Sequence, residues 1–305
     1  MLLKDFIVSS RHALSELYPE GEARSLVDGL CGKILGVTPQ THILQPGFCI
    51  DPALLPLLED GLSRLLRCEP LQYVLGEAWF LGRRFKVTPA VLIPRPETEE
   101  MVDMALRKAG NLSRDAGRPL RVLDLCTGSG CIAWSMALGL PQSEVTGLDI
   151  SPEALSVASS QFYADDVHSG ADDVHSGSET CNRPRFVLSD VLDPDCLKDG
   201  GRFDIFLSNP PYVRESEKAL MSRNVLDWEP GLALFVPDGD PLRFYRAEAA
   251  LAARLLSPGG FGLVEINEAY GRDVAGLFRD AGFRDPEVLK DLSGRDRFVL
   301  FSAER

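Results

Sequence analysis

Two short stretches carry residue types whose spacing could do chemistry. Ser208-Asn209-Pro210-Pro211-Tyr212 follows the apolar run Phe203-Asp204-Ile205-Phe206-Leu207, so it sits where a buried strand would end. The Asn209 side-chain oxygen and the Pro210 carbonyl are two acceptors able to converge on one NH2 group. An amide nitrogen is a poor nucleophile because its lone pair is delocalised into the carbonyl. Fixing both N–H bonds would aim that lone pair at an electrophilic methyl group. Pro210 and Pro211 have no N–H and a restricted φ, which stiffens the acceptor geometry. Tyr212 offers a flat face to a planar amide, and the acceptors would stabilise positive charge growing on nitrogen. The plainer alternative is a proline turn leaving a strand.

The second stretch is Asp124-Leu125-Cys126-Thr127-Gly128-Ser129-Gly130-Cys131-Ile132-Ala133. An apolar strand runs into a tight loop whose glycines let the backbone approach a ligand, and a helix N-terminus follows. Asp149 comes 19 residues after Gly130, at the end of the next strand, where a carboxylate can accept both ribose hydroxyls. The Gly128-x-Gly130-x-x-Ala133 spacing fits NAD as well as S-adenosylmethionine. Asp124 favours the second, since a carboxylate there repels a pyrophosphate but can pair with a cationic methionine moiety. Asp190, after a third strand, can accept from an adenine amino group while Val191 packs on the ring. A tight strand–helix turn without a ligand is the alternative for the loop, and a surface aspartate for Asp190.

These residues need elements to hold them. The first ~75 residues read as three helices, at Leu2–Leu17, Gly21–Leu35 and from near Pro52 to Leu66, with Gly36 as a C-cap and Asp51 as an N-cap. Phe85, Val87, Val91 and Ile93 alternate around Thr88-Pro89-Ala90, which predicts a β-hairpin. Strands and helices then alternate: helix 97–109, strand 121–125, helix 131–140, strand 144–149, a helix from Pro152, and strands at 185–188 and 204–208. That order predicts an α/β fold with a parallel, doubly wound sheet and ligands beyond the strands' C-terminal ends. Ala164–Gly170 is repeated at once as Ala171–Gly177, which reads as a tandem duplication in a polar surface loop.

Composition narrows the function classes. The chain has 305 residues, 45% hydrophobic and 25% charged, as an ordinary globular protein of about two domains would. No run of 18 apolar residues suggests a membrane span, and the N-terminus lacks a signal-peptide pattern. Seven cysteines without a C-x-x-C pair predict neither a disulfide framework nor a metal site, which points to the cytoplasm. A net charge of −13 with no Lys/Arg cluster disfavours nucleic acid and suits a basic protein partner.

With these residues in place, the sequence resembles the release factor glutamine methyltransferases (the N5-glutamine methyltransferase family) over nearly its whole length. The resemblance rests on Gln72-Tyr73-Val74-Leu75-Gly76, Phe80-Leu81-Gly82-Arg83-Arg84-Phe85 and Leu92-Ile93-Pro94-Arg95-Pro96-Glu97-Thr98-Glu99, besides the glycine loop and Asn209 to Tyr212. Glu229-Pro230, Ala233-Leu234-Phe235 and Asp291-Leu292-Ser293-Gly294-Arg295-Asp296-Arg297-Phe298 extend it. It implies a Rossmann-like class I methyltransferase domain at 96–305, a hairpin linker at 76–95 and a small helical bundle at 1–75 that engages a class I peptide-chain release factor. It further implies S-adenosyl-L-methionine as cofactor and the glutamine of a Gly-Gly-Gln loop as methyl acceptor. By position, Cys126 to Gly130, Asp149 and Val191 line the cofactor site, Asn209 meets both partners, and Pro210, Pro211 and Tyr212 meet the glutamine. Cys126 stands at the first loop glycine, Val191 at a position that is aromatic in some relatives, and Asn267 at a usual glycine. Val236 to Asp240 also departs from the pattern. An adenine-N6 methyltransferase would use the same Asn-Pro-Pro-Tyr geometry, but it normally needs a basic target-recognition region, and none shows.

Overall fold

A computed structural model describes residues 1–161 and 183–304; the repeated heptads lie outside them. The described residues form two compact units. One is Met1–Glu77 with Met221–Glu229, the other Ala78–Leu220 with Pro230–Arg305.

In the first unit, α1 (Leu3–Leu14) buries Leu3, Phe6, Ile7 and Leu14, and α2 (Glu20–Leu35) buries Ala23, Val27, Leu30 and Cys31. Gly36 closes α2 at φ +67°, the left-handed cap expected of it. The expected first helix runs three residues too long, because the chain must leave α-helical geometry ahead of Pro19. A short α3 (Thr41–Leu44) was not foreseen. Asp51 does cap, but it caps a turn: its Oδ1 accepts from Ala53 N at 2.9 Å, and α4 (Leu55–Leu65) starts later with Leu54 as N-cap. A short α5 (Leu71–Leu75) ends at Gly76, again left-handed at φ +71°. These helices share one apolar core built on Leu3, Phe6, Leu14, Val27, Leu30 and Leu58.

The hairpin lies earlier than the alternation suggested. It pairs β1 (Glu77–Phe80) with β2 (Arg83–Lys86). The loop is Leu81-Gly82, both at positive φ (48° and 72°), the two-residue turn whose twist suits paired strands. Leucine in that loop gives no turn signal, so the expected turn falls at Thr88-Pro89-Ala90 instead. Val87, Val91 and Ile93 are buried without being a strand, and Thr88 to Val91 closes a turn through Val91 N to the Thr88 carbonyl.

The rest alternates as expected and then continues: α6 (Pro96–Ala116), β3 (Arg121–Leu125), α7 (Cys131–Gly139), β4 (Glu144–Asp149), α8 (Pro152–Ser159), β5 (Arg185–Leu188), β6 (Phe203–Ser208), β7 (Val213–Arg214), α9 (Arg223–Leu226), α10 (Gly231–Leu234), β8 (Phe235–Val236), α11 (Arg243–Leu255), β9 (Leu256–Glu265), α12 (Gly271–Asp280), β10 (Arg284–Lys290) and β11 (Asp296–Ser302). Seven strands form one sheet in the order β10-β11-β9-β6-β3-β4-β5. The five strands from β9 to β5 are parallel, while β11 runs antiparallel to both its neighbours. The expected all-parallel sheet is corrected at this edge. Only five residues, 291–295, join β10 to β11, too few for a parallel crossover.

Side chains alternate across the sheet. Val122, Ile205, Leu207 and Phe298 join one core with Met101 and Val102 of α6, Ile132 of α7 and the hairpin's Phe80 and Phe85. Leu123, Phe206, Val264 and Phe301 join the other with Tyr245 of α11 and Phe278 of α12. Both faces are covered, so the sheet is rigid enough to hold loops in register at its C-terminal end.

Candidate active site

Strand order reverses direction at β3, whose neighbours are β4 on one side and β6 on the other. Loops leaving the strands at such a switch point diverge and open a crevice. The register fixes which residues meet there. Leu188, Asp149/Leu148, Leu125, Ser208 and Val264 are successive partners across β5, β4, β3, β6 and β9. The next residues out are Ser189, Cys126, Asn209 and Glu265. One row across five strands therefore brings both stretches singled out in the sequence to the same place.

The glycine loop is tied mostly to backbone and to its own strand ends. Asp149 Oδ2 accepts from Gly128 N at 2.8 Å, and its Oδ1 from Ser151 N at 2.9 Å. Thr127 N donates to the Leu148 carbonyl, and Gly130 N to the Thr127 carbonyl. Gly128 and Gly130 have φ of 53° and 79°. At Gly130 a Cβ would lie 3.0 Å from Ala158 Cβ, so glycine is required both by conformation and by the approach of α8. Cys126 holds φ 55° without being glycine, a strained conformation in a non-glycine residue. Gln161 brackets the loop from outside: its Nε2 donates to the Ser129 and Lys86 carbonyls and its Oε1 accepts from Lys86 N.

Asp124 is fully buried behind this loop. Its Oδ2 accepts from Thr127 Oγ1 at 2.5 Å and from Ala133 N at 3.1 Å, while Oδ1 has no partner among the described residues. Burial pushes its carboxyl up to about 7, against those two hydrogen bonds. Burial also raises Asp149, opposed by its backbone donors. Asp190 Oδ1 accepts from Leu192 N at 2.8 Å, which turns Val191 inward to a buried position.

Asn209 is held differently, by side chains. Its Nδ2 donates to Thr98 Oγ1 at 3.1 Å, and Thr98 Oγ1 donates to Glu265 Oε2 at 2.7 Å. Tyr212 OH donates to the other Glu265 oxygen at 2.9 Å. Glu265 is buried, and burial raises its carboxyl while the Thr98 and Tyr212 hydroxyls and the Arg297 charge oppose that. Burial and the Glu265 charge push the Tyr212 hydroxyl well above its ordinary value, so it stays a donor. Asn267 Nδ2 reaches the Tyr212 carbonyl and Glu217, both at 3.3 Å. Beneath Asn209, Ser208 Oγ donates to Glu248 Oε1 at 2.5 Å, and burial raises Glu248 to about 8.

These groups surround a cavity of about 340 Å³, a size suited to a small-molecule ligand. Cys126, Thr127, Gly128, Ser129, Asp149, Asp190, Val191, Asn209 and Pro211 line it. Asp124, Gly130, Pro210 and Tyr212 do not reach the wall: Asp124 and Gly130 shape the loop from behind, Pro210 is buried, and Tyr212 packs against the core with its hydroxyl on Glu265. Sequence reasoning gave no role to Thr98, Glu265 or Gln161. It also missed the wall formed by Pro230, Leu232, Ala233, Phe235 and Phe244. Thr98 and the segment at 230–235 lay within stretches that carried the family resemblance, so a signal existed without an assigned job. Gln161 had none.

The switch-point crevice, the glycine loop, the acidic ends of β4 and β5 and the reversed β10–β11 edge define a class I methyltransferase domain, the S-adenosylmethionine-dependent kind. A family described as a methyltransferase domain matches residues 117–265. A release factor glutamine methyltransferase of Bacteroides thetaiotaomicron is 42% identical over 95% of this chain and 96% of its own length. One from Flavobacterium psychrophilum is 36% identical over 98% of both, and one from Chlorobaculum tepidum 38% identical over 93% of this chain and 91% of its own. The chain belongs to the release factor glutamine methyltransferase family.

Proposed function

We propose that this protein transfers the methyl group of S-adenosylmethionine to the side-chain amide nitrogen of the glutamine in the Gly-Gly-Gln loop of a class I peptide-chain release factor, in the cytoplasm where such factors act. The single observation that carries this reading is the register that sets Asn209 beside the glycine loop across β3 and β6.

The residues present fit the cofactor. Gly128 and Gly130 leave the backbone room to approach it, and Asp149, with lone pairs beyond those used by Gly128 N and Ser151 N, faces the cavity for ribose hydroxyls. Asp190 and Val191 would take the adenine edge and face, and Cys126, Thr127 and Ser129 the rest of the loop wall. Asp124 holds the loop through Thr127 and Ala133. The cofactor supplies an electrophilic methyl on a sulfonium.

The protein supplies orientation. Asn209 Oδ1, on the cavity wall, accepts one N–H bond of the glutamine amide, and the Pro210 carbonyl, set back from that wall, is the acceptor assigned to the other, leaving the nitrogen lone pair to face the methyl. Pro211, on the cavity wall, confines the amide plane, and Tyr212 supports the turn from behind through its hydroxyl on Glu265. Positive charge that grows on nitrogen is stabilised by the same two acceptors, whose positions are fixed before reaction. The apolar wall of Leu232, Ala233, Phe235 and Phe244 keeps water from competing for those acceptors.

Recognition of the folded factor is assigned to the helical unit. A Gly-Gly-Gln tip offers little side-chain area, so binding energy must come from remote contacts. That unit exposes Val8, Ile43, Leu44, Leu57 and Leu66, an apolar supply for such a contact. Incubating the protein with isotopically labelled cofactor and an intact release factor, then mapping the label by mass spectrometry, tests the reading. A label on the Gly-Gly-Gln glutamine supports it; a label elsewhere, or on adenine of added nucleic acid, overturns it.

A further inference from the structure

We propose that Thr98 is a positioning residue that decides which end of the Asn209 amide faces the cavity, taking its own polarity from Glu265. The inference rests on the assignment of Asn209 as the acceptor for the substrate amide.

The argument is one of hydrogen-bond polarity. An asparagine amide has an oxygen that only accepts and a nitrogen that only donates, and the two ends are nearly equal in size. Flipped by 180°, Asn209 would present NH2 to the NH2 of a substrate amide, donor against donor. Nothing in its covalent structure selects the useful orientation; a neighbour must.

Thr98 is that neighbour. It is the third residue of α6, buried, and its hydroxyl lies between Asn209 Nδ2 at 3.1 Å and Glu265 Oε2 at 2.7 Å. A hydroxyl carries one hydrogen. Glu265 accepts from Tyr212 OH on Oε1 and from Thr98 on Oε2; burial raises its carboxyl, and those two hydroxyls with the Arg297 charge oppose that and favour the carboxylate, whose oxygens only accept. It therefore takes the Thr98 hydrogen. The Thr98 oxygen is left with lone pairs alone, so only Asn209 nitrogen can face it, and Oδ1 is turned away from Thr98. Glu265 sits beside Asn209 because Ser208 pairs with Val264 in the β6–β9 register. Three elements distant in sequence thus set one amide.

Four proteins test this with S-adenosylmethionine and an intact release factor: Thr98→Val, Thr98→Ser, Asn209→Ala and the Thr98→Val/Asn209→Ala double variant. Thr98→Val should lower kcat about tenfold or more, the scale for unmaking a buried polar contact, with the cofactor Kd within about threefold of wild type. Thr98→Ser, which keeps the hydroxyl, should return kcat to within about threefold. Because Thr98 acts through Asn209, adding Thr98→Val to Asn209→Ala should lower kcat no further. Thr98→Ala replaces Thr98→Val should the latter lose its cooperative melting. If Asn209→Ala is crippled while Thr98→Val turns over normally, or if the two losses simply multiply, the positioning role is wrong and the acceptor role stands. If Asn209→Ala itself turns over normally, the acceptor assignment falls and this inference with it.

Discussion

The two halves of the site are held by opposite means. The glycine loop from Cys126 to Gly130 is fastened mostly by main-chain groups and by Asp124 and Asp149 at its own strand ends, with Gln161 bracketing it from outside. The Asn209 end is fastened by side chains from residues 98, 212, 265 and 267, gathered from three places in the chain. Backbone fastening depends on strand pairing and a few glycines, and it survives most side-chain changes. Side-chain fastening depends on each hydroxyl and carboxylate, and it fails one partner at a time. The loop is thus built to hold a ligand, and the Asn209 end to aim one.

The sharpest break in that contrast should come from Asn209→Ala, expected to cut methyl transfer by about a hundredfold or more, the scale for losing a fixed transition-state contact. Turnover with saturating cofactor measures it. Asp149→Ala should act at the other end and weaken cofactor binding by about ten- to a hundredfold, since a charged acceptor and the Gly128 anchor go together. A calorimetric titration reads that. Gly130→Ala should lower stability by about 1–2 kcal/mol, because φ 79° is unfavourable with a Cβ and Ala158 is already 3.0 Å away. A thermal melt shows it as a drop of a few degrees.

Glu248, under Asn209, offers a pH test. Burial raises it from 4.5 to about 8 in the folded protein, against the Ser208 hydrogen bond, while the unfolded chain titrates near the lower value. Between those two values the folded state holds a proton the unfolded state has lost, so this group's contribution to stability falls as pH rises through the window. Glu248→Gln should flatten that slope, raising the melting temperature above the window and leaving it nearly unchanged below. The smallest effect is expected from Cys126→Gly. Relief of the strained φ 55° offsets the loss of a partly buried thiol, and the net change should stay within about 1 kcal/mol.

What the sequence revealed follows the same division. The strands 121–125, 144–149 and 185–188 and the loop they position are local patterns of apolar runs and glycines, and the structure has them at the expected residues. The hairpin was legible within 76–95 but its turn was not, because Leu81-Gly82 carries no Asn or Asp at the first position and Thr88-Pro89-Ala90 offered the stronger signal. The reversed edge β11 is a matter of connection length and pairing, absent from any single segment. Thr98 and Glu265 were present in the sequence but without roles, because a contact spanning 167 positions has no local signature. Asp124 carried a plausible ligand contact on residue type alone, and only burial shows that it stands behind the loop.

The separation of holding from aiming is tested most directly by titrating S-adenosylmethionine calorimetrically into Asn209→Ala and Asp149→Ala side by side, with turnover on an intact release factor measured for both. The account predicts a Kd within about threefold of wild type for Asn209→Ala alongside its collapse in turnover, and a weakened Kd for Asp149→Ala. Equal losses of cofactor affinity in the two variants would contradict it.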